Sequence, residues 1–135
     1  MPDKVFLDSN VPVYAYVNKQ VVKQQKARQL IAESYTVVST QVLQETTNTL
    51  FRKFEMDYAA IKILLTEFIC NNDEVYVNGQ HTIFKACDIA KRYRYSFYDS
   101  LIIAAALESG CRMLYSEDLQ HGQMIENALT IVNPF

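Results

Sequence analysis

The stretch Leu101-Ile102-Ile103-Ala104-Ala105-Ala106-Leu107 carries no polar side chain. A helix that is apolar on every side has no solvated face and belongs inside the molecule. Ser96 and Asp99 mark its start in the manner of a capping box, and Gly110 suits the left-handed position past its end. Around it, short apolar runs alternate with longer helical stretches. Residues 5–7, 35–39, 74–77, 113–115 and 129–132 read as strands. Helices are expected over 13–17, with Pro12 in the first turn, then over 19–34 and 40–54. Three more are expected from an Asp57 cap to about 70, over 81–93, and from Ser96 to Gly110. In the 19–34 helix, Val22, Ala27, Leu30 and Ile31 point to the core, while Lys19, Lys23, Lys26 and Arg28 form the polar side. Strands separated by helices need crossovers, which make a parallel sheet. The expected fold is a three-layer α/β/α sandwich around a five-stranded parallel sheet, as one domain over residues 1–135.

Length and composition agree with that expectation. A chain of 135 residues hides roughly 68% of its unfolded surface, so it needs no disulfide or metal staple to fold. Three Gly and three Pro are too few for the many tight turns of an all-β chain. The three cysteines form no CxxC pair, and neither His81 nor His121 stands at a zinc-like interval from them. Reduced cysteines, an N-terminal MPDKVFLDSN too short in apolar residues for a signal peptide, and no membrane-length apolar run point to a cytoplasmic domain. The net charge of −2 offers no bulk attraction to nucleic acid or anionic lipid.

In an open parallel sheet, ligands sit beyond the carboxyl ends of the strands, where the strand order reverses. Asp8 follows the first strand and Glu117-Asp118 the fourth. Asp99 opens the all-apolar helix, and Glu45 lies one turn into the helix after the second strand. Each acid also has a purely structural reading. Asp8, Asp99 and Asp118 are plausible helix or turn caps. Glu45 falls beside Asn48, Thr49 and Arg52, away from the apolar side made by Val42, Leu43, Leu50, Phe51 and Phe54. An acid at the mouth of a buried helix is nonetheless partly desolvated and needs a partner. Only Lys4, Arg94 and Arg112 lie near Asp8, Asp99 or Asp118 in sequence. Carboxylates converging without an internal cation imply an external one, and oxygen donors suit Mg²⁺ or Mn²⁺.

The segments FLDSNVPVYAY, QVLQET, FYDSLIIAAALESGC and LYSEDLQHG resemble, in order and spacing, the signature segments of the PIN-domain family. Within it, the chain is most similar to the VapC-type ribonuclease toxins of prokaryotic toxin–antitoxin modules. The run SEDLQHGQMIENALTIVNPF is also similar to the way such chains finish, so the resemblance covers essentially the whole sequence. It implies that Asp8, Glu45, Asp99 and Asp118 are the four family acids. It matches Ser116 to the hydroxyl of a Thr/Ser-x-Asp element, leaves Glu117 in the variable middle position as an auxiliary residue, and matches Asn10 to a polar residue after the first acid. Some members carry a further acid where this chain has Gln120, a departure that bears on a second metal ion.

The resemblance further implies a sheet order of 3-2-1-4-5. Asp8, Asp99 and Asp118 would hold Mg²⁺ or Mn²⁺, with Glu45 orienting its hydration shell or accepting a proton. The activity implied is hydrolysis of RNA to 5′-phosphate and 3′-hydroxyl ends, with an antitoxin and a second copy of the chain as partners. Setting aside Asp8, Glu45, Asp99, Glu117 and Asp118 leaves ten acids against thirteen bases, a remainder able to guide a polyanion. The 19–28 helix face and Lys91-Arg92-Tyr93-Arg94-Tyr95 are the candidate contacts. Other readings are a PIN-type nuclease in RNA processing or on another nucleic acid, and a non-catalytic PIN-like binding module. A phospho-receiver domain would want an acidic pair after the first strand and a Lys after the last, where this chain has Asp8 alone and Val132-Asn133-Pro134.

Overall fold

The computed structural model describes residues 3–17 and 19–135; Met1 and Pro2 of the opening MPDK, and Asn18, lie outside the described residues. The chain runs β1 (Lys4–Leu7), α1 (Asn10–Tyr16), α2 (Val21–Glu33), β2 (Tyr35–Ser39), α3 (Thr40–Arg52), α4 (Tyr58–Asn71) and β3 (Glu74–Tyr76). It continues through α5 (Gln80–Tyr93), α6 (Phe97–Glu108), β4 (Met113–Tyr115), β5 (Met124–Ile125) and β6 (Leu129–Val132). The sheet order is β3-β2-β1-β4-β6-β5. All neighbours from β3 to β6 are parallel, and β5 alone runs antiparallel, against β6.

The parallel strands and their order match the expectation, with β6 as the fifth strand. The correction is a sixth, two-residue edge strand. A hairpin makes it: Glu126 and Asn127 have φ of 52° and 55°, and Ala128 N–H donates to Ile125 O at 3.0 Å, closing a turn of the primed type. No glycine announces that turn, and two residues are too few to show alternation.

Right-handed crossovers fix the layers. From β1 to β2 and from β2 to β3 the chain moves one way, which stacks α1–α4 on one face. From β3 to β4 it returns past β2 and β1, which puts α6 on the other face with α5 outside it. The reversal falls between β1 and β4.

Residues 100–106 of α6 are all buried, as the apolar sequence requires. They pack with Phe6, Leu7, Leu114 and Ile131 of the central strands. Each such large side chain contributes about 1.5–3 kcal/mol by leaving water. Asp57 caps α4 through Ala60 N–H at 2.8 Å, and Gly110 has φ 78°, both as expected. The second helix differs: of its expected inward residues only Ala27 is fully buried, and Val22 is 80% exposed. Among the described residues no helix is long and apolar enough to cross a membrane.

Candidate active site

Leu7 pairs with Tyr115 in the last register step of β1 and β4, so the residues that follow both strands leave the sheet at one level. Asp8 N–H donates to Tyr115 O at 3.0 Å and prolongs that pairing by one bond. The side chain of Asp8 is 5% exposed. Its Oδ1 accepts the Ser9 N–H at 2.7 Å and its Oδ2 accepts the Ser116 hydroxyl at 2.7 Å. Burial pushes its carboxyl up to about 6; the Ser116 and Ser9 bonds pull it down, and the charges of Glu45 and Asp118 push it up again. The capping reading of Asp8 does not hold. Ser9 is the residue at the cap of α1, and the Asp8 carboxylate reaches across the sheet instead.

Ser116 is fully buried and works in two directions. It donates to Asp8, and its oxygen accepts Asp118 N–H at 3.2 Å and Leu119 N–H at 3.3 Å. Asn10, the first residue of α1, holds the same loop. Its Nδ2 donates to Asp118 Oδ2 at 3.2 Å, and its Oδ1 accepts Glu117 N–H at 3.3 Å. Asp118 is thereby oriented while remaining exposed.

Glu45 is half-buried, contrary to its reading as a solvated surface residue. Gln41, one turn earlier on α3, donates to Glu45 Oε2 at 3.2 Å and to Tyr98 O at 3.0 Å, tying α3 to the start of α6. Burial raises the Glu45 carboxyl; hydrogen bonds from Gln41 and Ser9 oppose it, and the charges of Asp99 and Asp118 add to it. Asp99 is partly buried in the first turn of α6. Its N–H donates to Ser96 Oγ at 3.2 Å, one half of the expected capping box. Among the described residues its carboxylate accepts no hydrogen bond.

Glu117 faces elsewhere. Lys23 of α2 donates to Glu117 Oε1 at 2.9 Å and to the Tyr14 hydroxyl at 3.2 Å. Burial raises the Glu117 carboxyl, but the bonds from Lys23 and Tyr14 outweigh it and the net shift is downward. Its charge is therefore paired with Lys23 inside the protein, whereas Asp8, Glu45, Asp99 and Asp118 form no ion pair with Lys or Arg among the described residues. Among the described residues, too, no three of His, Cys, Asp or Glu stand close enough to hold a metal ion as placed. The four acids share one rim and one another's field without forming a closed cage.

Two expected nucleic-acid contacts have structural duties. The Tyr93 hydroxyl accepts Glu126 N–H at 2.9 Å, and the Tyr95 hydroxyl donates to Gln123 and accepts Gln120 N–H at 3.3 Å. Both pin the segment between β4 and β6. On the 19–28 face, Arg28 Nε donates to Ala15 O at 2.9 Å, and Lys23 is spent on Glu117. Sequence reasoning missed Gln41, and it took Lys23 for a nucleic-acid contact rather than the partner of Glu117. Gln41 was within reach, since positions four apart on a helix are neighbours. Lys23 and Glu117 are 94 residues apart, and nothing local joins them.

Among curated proteins, no relative matches the chain. Solved structures do resemble it. VapC20 of Mycobacterium tuberculosis, a sarcin–ricin-loop-cleaving toxin, superposes with a TM-score of 0.65 at 20% identity, over 84% of this chain and 89% of its own. VapBC2 of Rickettsia felis, bound to a DNA fragment of its promoter, gives 0.69 at 16% identity, over 96% of this chain and 99% of that one. A toxin–antitoxin complex from Klebsiella pneumoniae gives 0.70 at 14% identity, over 97% and 98%. These likenesses are of fold. Residues 5–125 match the family model of the PIN domain, and with that match over most of its length the chain belongs to the PIN-domain family.

Proposed function

We propose that the chain is a metal-dependent endoribonuclease that hydrolyses RNA phosphodiester bonds in the cytoplasm, as the toxin of a toxin–antitoxin pair. One observation carries the proposal: four carboxylates from four separate segments lie within one another's field, and among the described residues none of them makes an ion pair with Lys or Arg. Keeping such charge together costs stability, which a purely structural role does not repay. Family membership supports the nuclease reading, and the toxin and toxin–antitoxin structures of the same fold support the antitoxin.

The donor set fits a hard divalent cation, Mg²⁺ or Mn²⁺, because every donor is an oxygen and the net charge is negative. Asp8, Asp99 and Asp118 would hold it. The chemistry such a cation supplies is neutralisation of a phosphoryl oxygen and acidification of water. The chain's own residues do the rest. Ser116 and the Ser9 amide lock the Asp8 carboxylate in one orientation, and Asn10 orients Asp118. Glu45, raised by burial, takes the proton of the attacking water on a carboxylate oxygen.

Purified protein incubated with structured RNAs, with and without EDTA, tests this reading. Cleavage should require the metal, and the products should carry 5′-phosphate and 3′-hydroxyl ends. Asp8→Asn and Asp99→Asn should abolish cleavage, and Glu45→Gln should slow it roughly 10²-fold or more. Metal-independent cleavage, or any of the three variants turning over at the wild-type rate in saturating Mg²⁺, defeats the proposal.

A further inference from the structure

Asp118 opens onto a cleft of about 250 Å³ between α1 and α3, whose walls include Asn10, Tyr14, Thr49, Lys53 and Glu117, the last already paired with Lys23. On α3, Glu45, Thr49 and Lys53 are each four residues apart, so they stand in one row along the helix. Lys53 caps the helix with φ −91° and ψ −35°, so the row is unbroken. Each step of that row is about 6 Å of helix rise, comparable to the spacing of neighbouring phosphates on a single strand.

The row starts at a proton acceptor and ends at a cation. Among the described residues the Lys53 ammonium makes no ion pair and no hydrogen bond, although Asp118 lines the same cleft. Lys23, the other cation near the acids, is already held by Glu117 and Tyr14. Lys53 is exposed, at the cleft, and left for an anion from outside.

We propose that this cleft seats a backbone phosphate of single-stranded RNA two along from the scissile one, with the Lys53 ammonium as its contact. The position relative to the scissile bond rests on the nuclease reading above; the phosphate contact itself is read from the cleft.

The test measures binding of a fluorescent single-stranded oligoribonucleotide to the Asp8→Asn protein in EDTA, over a series of salt concentrations. Adding Lys53→Gln should weaken binding about fivefold, the worth of one exposed charge pair. It should also reduce the slope of log affinity against log salt by about 0.7, the signature of one lost phosphate contact on a single strand. Lys53→Arg should keep the slope. Lys85→Gln, whose parent residue is paired with Glu126 at 2.7 Å, should leave both quantities unchanged. In the cleaving protein, Lys53→Gln should raise KM about fivefold and leave kcat within about twofold, since the contact exists equally in substrate and transition state. An unchanged slope in Lys53→Gln, or no binding by any protein, overturns the phosphate seat even if RNA is cleaved. A lost slope in a protein that cleaves no RNA overturns the nuclease reading and leaves the seat standing.

Discussion

Asp8 carries a cost in the metal-free protein. Its carboxyl titrates at about 6 in the fold against 3.8 when unfolded, so between those values the folded state holds more protons. The stability from neutral Asp8 is complete below 3.8 and disappears as pH rises through about 6. The change is about 3 kcal/mol. Denaturant titrations in EDTA should therefore show wild type losing stability across that window and Asp8→Asn keeping it. A parallel pH dependence in the two proteins would remove the buried-carboxylate account. Asp99 separates capping from clustering. In EDTA, Asp99→Asn should melt at or above the wild-type temperature, because it relieves repulsion with Glu45. Excess Mn²⁺ stabilises wild type by about 2.7 kcal/mol at a hundredfold excess over Kd, and that increment should shrink in the variant. A less stable variant with a full metal increment would make Asp99 a cap only. At this scale the sequence shows which acids follow strands; the partners of those acids, Ser116 on Asp8 above all, come from the other end of the chain.

Two helices show how far a pattern predicts an element. α6 is apolar all round and buried as expected, because no arrangement of it leaves a polar face outward. α3 is amphipathic, and its sequence puts Phe51 on the apolar side. The structure buries Gln41 and Thr46 instead, and leaves Phe51 44% exposed, stacked on Tyr58 with ring centroids 4.6 Å apart. Gln41 turns inward, where its amide donates to Glu45 and to Tyr98 O, and the wheel is rotated from its most apolar setting. Circular-dichroism melts should follow burial rather than residue type. Ile103→Ala should cost about 2–5 kcal/mol, the usual range for a fully buried aliphatic side chain. Phe51→Ala, removing a larger but half-exposed ring, should cost less. Equal losses would mean that α3 packs as the wheel suggested.

Across the whole molecule, the alternation of strands and helices was enough for a parallel sheet, because parallel neighbours need crossovers, whereas the order of the strands came from the resemblance to the PIN-domain family. The edge hairpin was not readable, and neither was the surface. Val22, Ile63, Val77 and Phe84 are 80%, 72%, 70% and 61% exposed, a distribution that helix periodicity alone does not anticipate. A homodimer is the state we propose from the resemblance to the VapC-type toxins. Sedimentation across the micromolar range should show it; a monomer throughout would argue against it. The hydrogen bond between Ser116 and Asp8 joins residues 108 apart in the chain. A polypeptide being made on a ribosome therefore has Asp8 long before it has the group that orients it. Synthesis itself delays completion of the site, and any chain cut short before Ser116 is made without it.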